Sequence, residues 1–301
     1  YNNSIEEAYE QLAKRFPKLM VKRVGGIKAA TDDEKKLALA AANIFCSPAD
    51  NLQETFGLSV LEAMASGLPV VASDWNGYRD LVEHGKTGFL VPCRDNLKGN
   101  GEVTSKDREF AIGLTNYDSM VGLHSLGVVL DHAELEKSLM VLIDSPQQCE
   151  KMGEKGLRRV ESIFHWDVVC GEYRGLWKEL NRIRSKTNEC GGSEVWPIAS
   201  TGRLFANHAR FAAWEGPWRI DEDNTNPEIL NDAMQTCFLG ELVGDHALRK
   251  LGKMLEQRMN EMKNSVIDAK YLIDMIEECG IKKQESRRII SLLEKLGIII
   301  Q

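Results

Sequence analysis

The chain lacks the features that define several broad classes of protein. Its cysteines number seven, an odd count, and no C-x-x-C pair occurs, which argues against a disulfide framework and against a structural zinc site. No apolar run approaches the ~18 residues that a membrane span requires. The formal net charge of −7 leaves no general basic surplus for nucleic acid. These absences favour a soluble protein of a reducing, cytoplasmic compartment.

What is present is ordinary for a globular protein. Hydrophobic residues make up 43% and charged residues 28% of the 301-residue chain, a length that favours two domains. Cys46, Cys93 and Cys170 lie among apolar neighbours, so we expect them to pack as small hydrophobic side chains.

The stretch from Ile44 to Trp75 has the pattern of a βαβ unit. Residues 44–46 form a short apolar run that predicts a buried strand, and the polar residues 47–53 predict a loop. Helical spacing of apolar side chains over 56–66 predicts a helix that Gly67 ends. The β-branched run at 68–72 predicts a second buried strand, and the whole predicts a crossover in a parallel sheet.

Ligands of parallel sheets bind beyond the carboxyl ends of the strands, against helix N-termini. Glu54 lies in the predicted loop at that edge, and Glu62 lies further along the predicted helix. Gly57 permits a ligand to approach closely, and the amides of Phe56, Gly57 and Leu58 are available to an anion. Two carboxylates beside an anion site fit a ligand that presents hydroxyl groups to the acids and phosphates to the amides.

Four further motifs extend this pattern and carry a resemblance to a known family. They are A-M-A-S-G-L-P-V-V-A-S at 63–73, D-W-N-G-Y-R-D-L-V at 74–82, K-T-G-F-L-V-P at 86–92 and F-H-W-D-V-V at 164–169. With E-T-F-G-L-S-V-L-E at 54–62, they resemble the E-x7-E pattern of retaining glycosyltransferases of the GT-B fold, family four, also called glycosyl transferases group 1. The resemblance covers roughly residues 5 to 184.

The resemblance implies roles for particular residues. Glu54 would contact the hydroxyls of the donor sugar and act in catalysis, and Glu62 would hold the ribose of the nucleotide. The amides of Phe56, Gly57 and Leu58 would lie near the sugar and the diphosphate. A loop at Asn76, Gly77 and Tyr78 would line the donor site, although these residues fit a simple turn between strand and helix equally well.

The same resemblance implies the reaction and its partners. The donor would be a sugar of the UDP or GDP type, and the acceptor a carbohydrate or a lipid-linked molecule. Transfer would retain the anomeric configuration by front-face chemistry, in which the leaving diphosphate helps to deprotonate the acceptor. Neither a metal ion nor a cofactor is expected. The protein would contribute positioning and stabilisation of charge.

Members of this family carry two parts that this sequence does not show. One is an Arg and a Lys that grip the diphosphate, and the other is an N-terminal domain that binds the acceptor. We therefore expect either that the chain is a fragment or that it works with a partner polypeptide supplying the missing domain.

Elements that flank the βαβ unit follow from local patterns. Apolar spacing predicts a helix over 4–16, alternation predicts a strand over 19–24, and Thr31 is a suitable N-cap for a helix over 32–42. Arg79 is expected to form a surface ion pair with Asp80 or Glu83 rather than to reach a phosphate.

Residues 93–127 are longer than a usual connection and predict an insertion, with one short helix near 117–125. His124 and His132 belong to no set of metal ligands and are expected to be structural. Helices are predicted over 131–144 and 146–184. Core positions are expected for Leu135, Leu139 and Leu142 in the first of these, and for the aromatic stripe of Trp166, Tyr173 and Trp177 in the second.

The composition divides the chain into a donor-binding domain at 1–184, a linker at 185–197 and a mainly helical accessory module at 198–301. Within the module, helices are predicted over 228–262 and 265–279, and a helix followed by a short strand over 286–300.

That order is compatible with a winged-helix-like module. Acidic residues accompany Arg287 and Arg288, so an interaction or dimerisation role is favoured over nucleic-acid binding. The D-E-D sequence at 221–223 matches a metal-binding D-x-D motif but is interpreted as a solvated turn. The overall fold class predicted is α/β: a Rossmann-like parallel sheet followed by a smaller helical region.

Two rival functions stay open at this point. Glu54 and Glu62 could be the acid and base of a glycosidase, which needs carboxyls roughly 5–10 Å apart on either side of the scissile bond. A chain without an acceptor domain could also be a non-catalytic nucleotide-sugar-binding or interaction protein.

Overall fold

The protein is α/β, as the sequence predicts: a parallel sheet with helices, followed by a mainly helical region. The computed structural model describes most of the chain, namely residues 14, 16, 18, 20–25, 28–95, 105–186, 208, 209, 211, 212, 216, 218–220, 245–261, 266–296 and 298–300. Among the described helices, none is both long enough and apolar enough to cross a bilayer.

A three-stranded parallel sheet forms the centre of the first region. Its strands are β1 (Phe45–Ser47), β2 (Val70–Ser73) and β3 (Gly88–Val91), in that spatial order. All four residues of β2 are buried, because it lies between the other two strands. This confirms the two predicted strands to within two residues at each end.

Helix α2 (Leu58–Ala65) connects β1 to β2 and completes the predicted βαβ unit. It buries Val60, Ala63 and Met64 against the sheet. The predicted stop at Gly67 is confirmed, since this glycine adopts the left-handed backbone conformation with φ +75°. The amide of Leu68 then donates to the carbonyl of Ala63 at 3.1 Å, which satisfies one of the terminal carbonyls of the helix.

The helix before the sheet, α1 (Asp32–Ala41), begins with the cap that the sequence predicts. Thr31 accepts from the amide of Glu34, and the Glu34 carboxylate accepts in turn from the amide of Thr31 at 2.8 Å, forming a capping box. The predicted strand over 19–24 is wrong, because residues 20–24 adopt no strand conformation and are exposed. Most of the predicted helix over 4–16 lies outside the described residues.

A second sheet follows where the sequence predicts an insertion. Strand β4 (Cys93–Asp95) pairs antiparallel with β5 (Val128–Leu130), so the residues after β3 extend the sheet structure rather than forming only a loop. The segment between them contains α4 (Ser105–Ala111) and α5 (Tyr117–Ser125), the second of which confirms the predicted short helix. A short helix, α3 (Tyr78–Leu81), connects β2 and β3.

Three α-helices and one π-helical turn follow β5. They are α6 (His132–Ile143), α7 (Pro146–Arg159), a π-helical turn (Val160–Phe164) and then α8 (Trp166–Lys186). The core positions predicted for α6 are confirmed: Leu142 is 1% exposed, and Leu135 and Leu139 pack partly buried against the same cluster.

The core position predicted for the aromatic stripe of α8 is wrong. Trp166, Tyr173 and Trp177 are 76%, 53% and 62% exposed, and this helix buries no residue. The stripe has helical spacing, but no described element packs against it. Cys46 and Cys170 are likewise exposed, and only Cys93 of the three cysteines expected in the core is buried.

The last region contains α9 (Asp245–Glu261), α10 (Ala269–Glu278) and α11 (Lys283–Lys295). Strand β8 (Ile299–Ile300) pairs antiparallel with β7 (Arg219–Ile220). The predicted helices and final strand after residue 265 are thereby confirmed, whereas the predicted helix over 228–262 is described only from 245 to 261.

The helical region contacts the sheets directly. Leu123 and Leu126, at the end of α5, share one hydrophobic cluster with Trp218 and the apolar faces of α9 to α11. Lys295, the last residue of α11, donates to the carboxylate of Asp50 and to the carbonyl of Ser125. Asp50 lies in the loop that leads to Glu54, so the C-terminal helices support that loop. The division into domains and linker stays a prediction, and the D-E-D sequence lies outside the described residues.

Candidate functional site

Glu54 lies at the edge of the parallel sheet where β1 and β2 end, and Glu62 lies in the second turn of the helix that begins at that edge, α2. Because the two strands are parallel, the loop 48–57 after β1 and the turn 74–77 after β2 are neighbours. Glu54 is half-buried in the first loop, and Glu62 is exposed on α2. The site predicted at this edge stays a prediction, and the structure places Glu54 in the loop and Glu62 on the helix, the elements expected for them.

Two side chains of the turn hold the loop in place. Trp75, which is fully buried, donates its indole N–H to the carbonyl of Asn51 at 2.9 Å. Asn76 directs its Nδ2 at the carbonyl of Glu54 at 3.4 Å. Within the loop, the Asn51 side chain accepts from the amide of Glu54 at 3.0 Å. The position of Glu54 is thus determined by residues that follow β2.

Gly57 and Gly77 permit a close approach that no other residue would allow. Gly57 has φ +96° and precedes the first residue of α2, and a Cβ built there would lie 2.3 Å from the ring of Tyr78. A Cβ on Gly77 would lie 2.1 Å from the carbonyl oxygen of Thr55. The predicted turn at 76–77 is confirmed, and Asn76 adopts a positive φ of 36°, which asparagine tolerates better than most residues.

The buried side chain of Tyr78 packs against Gly57 and lies close to Glu54. Its side chain is 1% exposed, and its hydroxyl lies 2.8 Å from Oγ of Ser47 at the end of β1. Burial raises the pKa of Tyr78 to about 12, the Ser47 hydrogen bond opposes this shift, and the Glu54 carboxylate adds to it. The phenol therefore stays protonated at neutral pH and can donate to Ser47 or to Glu54.

The first turn of α2 is suited to an anion. The amides of an α-helix's first turn have no intrahelical acceptors, and Gly57 has no side chain that could cap them. No acidic residue occupies this turn, so nothing in it repels a negative charge. Phe56 and Leu58, which flank Gly57, are 41% and 67% exposed and leave this end of the helix accessible.

Arg79 does not form the predicted ion pair with Asp80 or Glu83. It lies 3.6 Å from the carboxylate of Asp74 and donates to the carbonyl of His208 at 3.2 Å. Glu83 is instead paired with Arg159 at 2.6 Å. The prediction was wrong because Arg79 points inward, toward a segment more than a hundred residues further along the chain.

His208 is a residue of this site that sequence reasoning missed. Its ring stacks edge-on against Trp75 at 5.4 Å, and its Nε2 lies 3.1 Å from Nδ2 of Asn76. Its backbone carbonyl accepts from the amide of Asn76 at 2.8 Å. No local pattern around residue 208 indicates this role, because the contact depends on β6 (Phe211–Ala212) pairing with β4.

His124 is buried and structural, as predicted, and its Nε2 lies 3.1 Å from the carboxylate of Asp95. Within the described ranges, no group of three or more His, Cys, Asp or Glu side chains is arranged to hold a metal ion.

Comparison with known proteins finds a family match over the segment that carries the candidate site. Residues 6–99 match the model of the family described as glycosyl transferases group 1. This confirms the resemblance drawn from the motifs, and the matched segment includes β1, α2, β2 and β3.

The similar proteins include two mannosyltransferases and a sucrose synthase. The chain is 38% identical over 77 residues to a phosphatidyl-myo-inositol mannosyltransferase of Mycobacterium leprae, which covers 25% of this chain and 20% of that protein. It is 31% identical to the MMP alpha-(1->4)-mannosyltransferase of Mycolicibacterium hassiacum, covering 50% of this chain and 27% of the relative. It is 45% identical to a sucrose synthase of Denitrovibrio acetiphilus, covering 46% of this chain and 14% of the relative. The chain thus spans about a quarter or less of each of these relatives.

Proposed function

We propose that this chain is the donor-binding half of a retaining glycosyltransferase, which transfers a hexosyl group from a nucleoside-diphosphate sugar to an acceptor. The observation that carries the proposal is the placement of Glu54 and Gly57 at the N-terminus of α2, beyond the carboxyl ends of β1 and β2, with Glu62 in the second turn of the same helix. A family match over the same residues supports it.

Each group has a role that its position supports. The first-turn amides of α2, next to Phe56, Gly57 and Leu58, bind the diphosphate and stabilise the charge that develops on it as the sugar leaves. Glu54 orients the sugar ring by accepting hydrogen bonds from its hydroxyls. Glu62, exposed on α2, accepts from the ribose hydroxyls.

Residues 76–78 form the remaining wall of the site. Asn76 fixes the Glu54 loop, Gly77 lets the backbone of Thr55 approach, and Tyr78 supports Glu54 from below. Of these three, Tyr78 is fully buried, so we assign it to shaping the site rather than to contacting the sugar.

The donor proposed is a UDP- or GDP-linked sugar, and the acceptor is a carbohydrate or a lipid-linked molecule. Relatives named as mannosyltransferases and as a sucrose synthase support a nucleotide-sugar donor in general without selecting one. No metal or cofactor enters the mechanism, because the helix N-terminus is proposed to supply the electrostatic stabilisation. The glycosidase alternative is less favoured, since Glu62 lies along α2 rather than across a cleft from Glu54.

An acceptor-binding half, in a further domain or a partner chain, completes the proposal. Positioning of donor and acceptor together accounts for about 7–11 kcal/mol of such a barrier, and this chain offers only the donor side. The exposed apolar face of α8 also favours the alternative of an interaction protein that binds nucleotide sugars without turning them over.

Titration calorimetry with UDP and GDP tests the assignment of the two acids. We expect Glu62→Ala to weaken nucleoside diphosphate binding by about 10- to 150-fold, the equivalent of ~1.5–3 kcal/mol for a charge-assisted hydrogen bond. Glu54→Ala should leave that binding nearly unchanged, because it contacts only the sugar. Glu154→Ala, an exposed glutamate on α7, is the matched control. The reverse order of effects would refute the assignment.

Turnover distinguishes the transferase from the interaction protein. Residues 1–301 alone should release no nucleoside diphosphate from a panel of nucleotide sugars, and addition of an acceptor-binding half should give transfer that Glu54→Ala abolishes. Robust turnover by this chain alone would overturn the two-domain mechanism. Binding without turnover in the completed protein would favour the non-catalytic alternative.

A further inference from the structure

His208 connects the C-terminal part of the chain to the candidate site. It is 8% exposed, and its ring, its carbonyl and its neighbour Ala209 all contact the turn after β2. Residue 208 lies well beyond the segment that matches the family model, 6–99. The match to the family model therefore does not extend to this contact.

The hydrogen bonds around Asn76 determine the protonation state and the tautomer of the His208 ring. Nδ2 of Asn76 faces the carbonyl of Glu54 at 3.4 Å and Nε2 of His208 at 3.1 Å. A carbonyl can only accept, so Nδ2 of Asn76 donates one of its two hydrogens to the carbonyl of Glu54. The second hydrogen is then available to be donated to Nε2 of His208. Nε2 must then be an acceptor, which makes His208 the neutral tautomer with its proton on Nδ1.

The other side of the ring agrees with this assignment. His208 makes a hydrogen bond with the backbone of Leu52, and the N–H of Nδ1 is the donor available for that carbonyl. Leu52 lies in the same loop as Glu54. The neutral ring thus holds the loop twice, once directly at Leu52 and once through Asn76 at Glu54.

The surroundings favour the neutral ring. Burial lowers the pKa of His208 most, and the neighbouring charges of His124 and Arg79 lower it further, against the bond to Leu52 and the carboxylate of Asp95. Arg79 is itself paired with Asp74, whose carboxylate lies 3.6 Å from the guanidinium group. A protonated ring would direct an N–H at the amide hydrogens of Asn76, which breaks that contact.

We propose that His208 is a positioning residue of the donor site, which in its neutral form holds Asn76 and Leu52 and thereby keeps the Glu54 loop in its binding geometry. This proposal rests on the proposed function. It assigns to the C-terminal region a role in the site rather than a separate activity.

A pH dependence follows, with a definite sign. A histidine whose pKa is lowered by folding contributes stability above its unfolded value, near 6.5, and this stability is lost as the pH falls through the folded value. The loop that carries Glu54 also carries Phe56 and Gly57, whose backbone lies next to the amides proposed to bind the diphosphate. It should therefore loosen, and nucleotide affinity should fall, as the pH decreases below about 6.5. At pH 7 and above, the loop should be fully held.

Two variants separate the positioning role from simple packing. His208→Gln can place an acceptor at the ε position, toward Asn76, but lacks the δ N–H for Leu52 and does not titrate. His208→Asn has its polar atoms only at the δ position, so it loses the contact with Asn76, which is the one that reaches both the turn after β2 and the carbonyl of Glu54. His132→Asn, an exposed histidine outside the site, is the control. Thermal melts establish that each variant folds.

The first measurement is binding of UDP and GDP by calorimetry between pH 5.5 and 8. We expect His208→Asn to bind about fivefold more weakly at pH 7.5, the effect of one lost neutral hydrogen bond. The affinity of His208→Gln should be closer to that of the natural protein. It should also depend less on pH than the affinity of the natural protein does. Equal behaviour of the Gln and Asn variants, or an unchanged pH dependence in His208→Gln, would overturn the proposal.

The second measurement does not require a nucleotide. Amide hydrogen exchange of peptides that contain residues 51–57 should be faster in His208→Asn than in His208→Gln at pH 7.5, and unchanged in His132→Asn. If the natural protein binds neither nucleotide, the proposed function fails, and the exchange rates still decide whether His208 holds the loop. Equal exchange in the two variants would refute the positioning role itself.

Discussion

Helices α7 and α8 follow each other in the chain and show the same kind of sequence pattern, yet they have opposite surroundings. Helix α7 buries Met152, Gly153 and Gly156, and the two glycines lie against the end of α2 and the residues that follow it. Helix α8 is longer, with 21 residues, and buries none of them. Amphipathic spacing therefore predicts a helix in both cases, but whether its apolar face is covered depends on what lies opposite.

An apolar stripe on a helix can therefore either be buried in the core of the same chain or be exposed on its surface. In α7 the stripe belongs to the core around the sheets. In α8, Leu176 and Leu180 are 50% and 51% exposed, an arrangement typical of a surface that is covered in a larger assembly. The following predictions test the contrast between the packed region and α8, from the largest expected effect to the smallest.

Thiol modification should distinguish the two regions most strongly. Burial raises the pKa of Cys93, on β4, to about 12, from an ordinary value of 9.0, whereas Cys170 is exposed on α8. Because the thiolate is the reactive form, Cys93 should react about 10³-fold more slowly than a free cysteine standard at pH 8. Peptide-level mass spectrometry after treatment with iodoacetamide measures both sites. Labelling of Cys93 before Cys170 would contradict the burial described here.

A matched pair of leucines should differ by several kcal/mol. Leu142→Ala removes a fully buried side chain of α6 and should reduce the free energy of unfolding by about 2–5 kcal/mol. Leu180→Ala, on the exposed face of α8, should change it by less than about 0.5 kcal/mol. Urea titration of residues 1–301 measures both. A large loss from Leu180→Ala would show that α8 is covered in this chain.

Gly153→Ala should destabilise the protein although alanine is the better helix former. A Cβ at this position would lie 1.9 Å from the carbonyl oxygen of Gly67, which belongs to the backbone and cannot yield easily. The cost of overpacking, about 1–3 kcal/mol, is larger than the helix-propensity gain of at most about 1 kcal/mol, so a net loss of up to about 2 kcal/mol is expected. An unchanged denaturation midpoint would show that α7 and the end of α2 are further apart.

Gly175→Ala is the counterpart on α8 and should have the smallest effect, with the opposite sign. A Cβ there meets no atom within 4 Å. The substitution should therefore raise the free energy of unfolding by about 0.5–1 kcal/mol through helix propensity alone. The same urea titration gives the value. Loss of stability in Gly175→Ala would mean that this face of α8 is packed.

Local sequence signals predicted the elements well where the structure depends on near neighbours. Thr31 and Glu34 form the capping box three residues apart, and Gly67 ends α2 where its left-handed conformation is needed. The β-branched run at 70–73 forms the central strand because its position requires burial on both faces.

Contacts between distant residues could not be predicted in this way. Arg79 pairs with Asp74 and the carbonyl of His208 rather than with its helical neighbours, and Lys295 reaches Asp50 across 245 residues of sequence. Such partners are selected by how β6 and α11 pack on the sheets, for which a single sequence contains no periodic signal. Glu54 and Glu62 could be proposed from the sequence because the motif around them is local. His208 was not, because it is supplied from far away.

The pairing of Asn76 with His208 also has a consequence for the order in which the protein is made. The two residues are 132 positions apart, and chains are synthesised at about 5–20 residues per second, so the loop that carries Glu54 leaves the ribosome roughly 10 s before the histidine that holds it. During that interval the indole of Trp75 lacks the ring that packs against it. A nascent chain paused between these positions should therefore be the form most readily captured by chaperones.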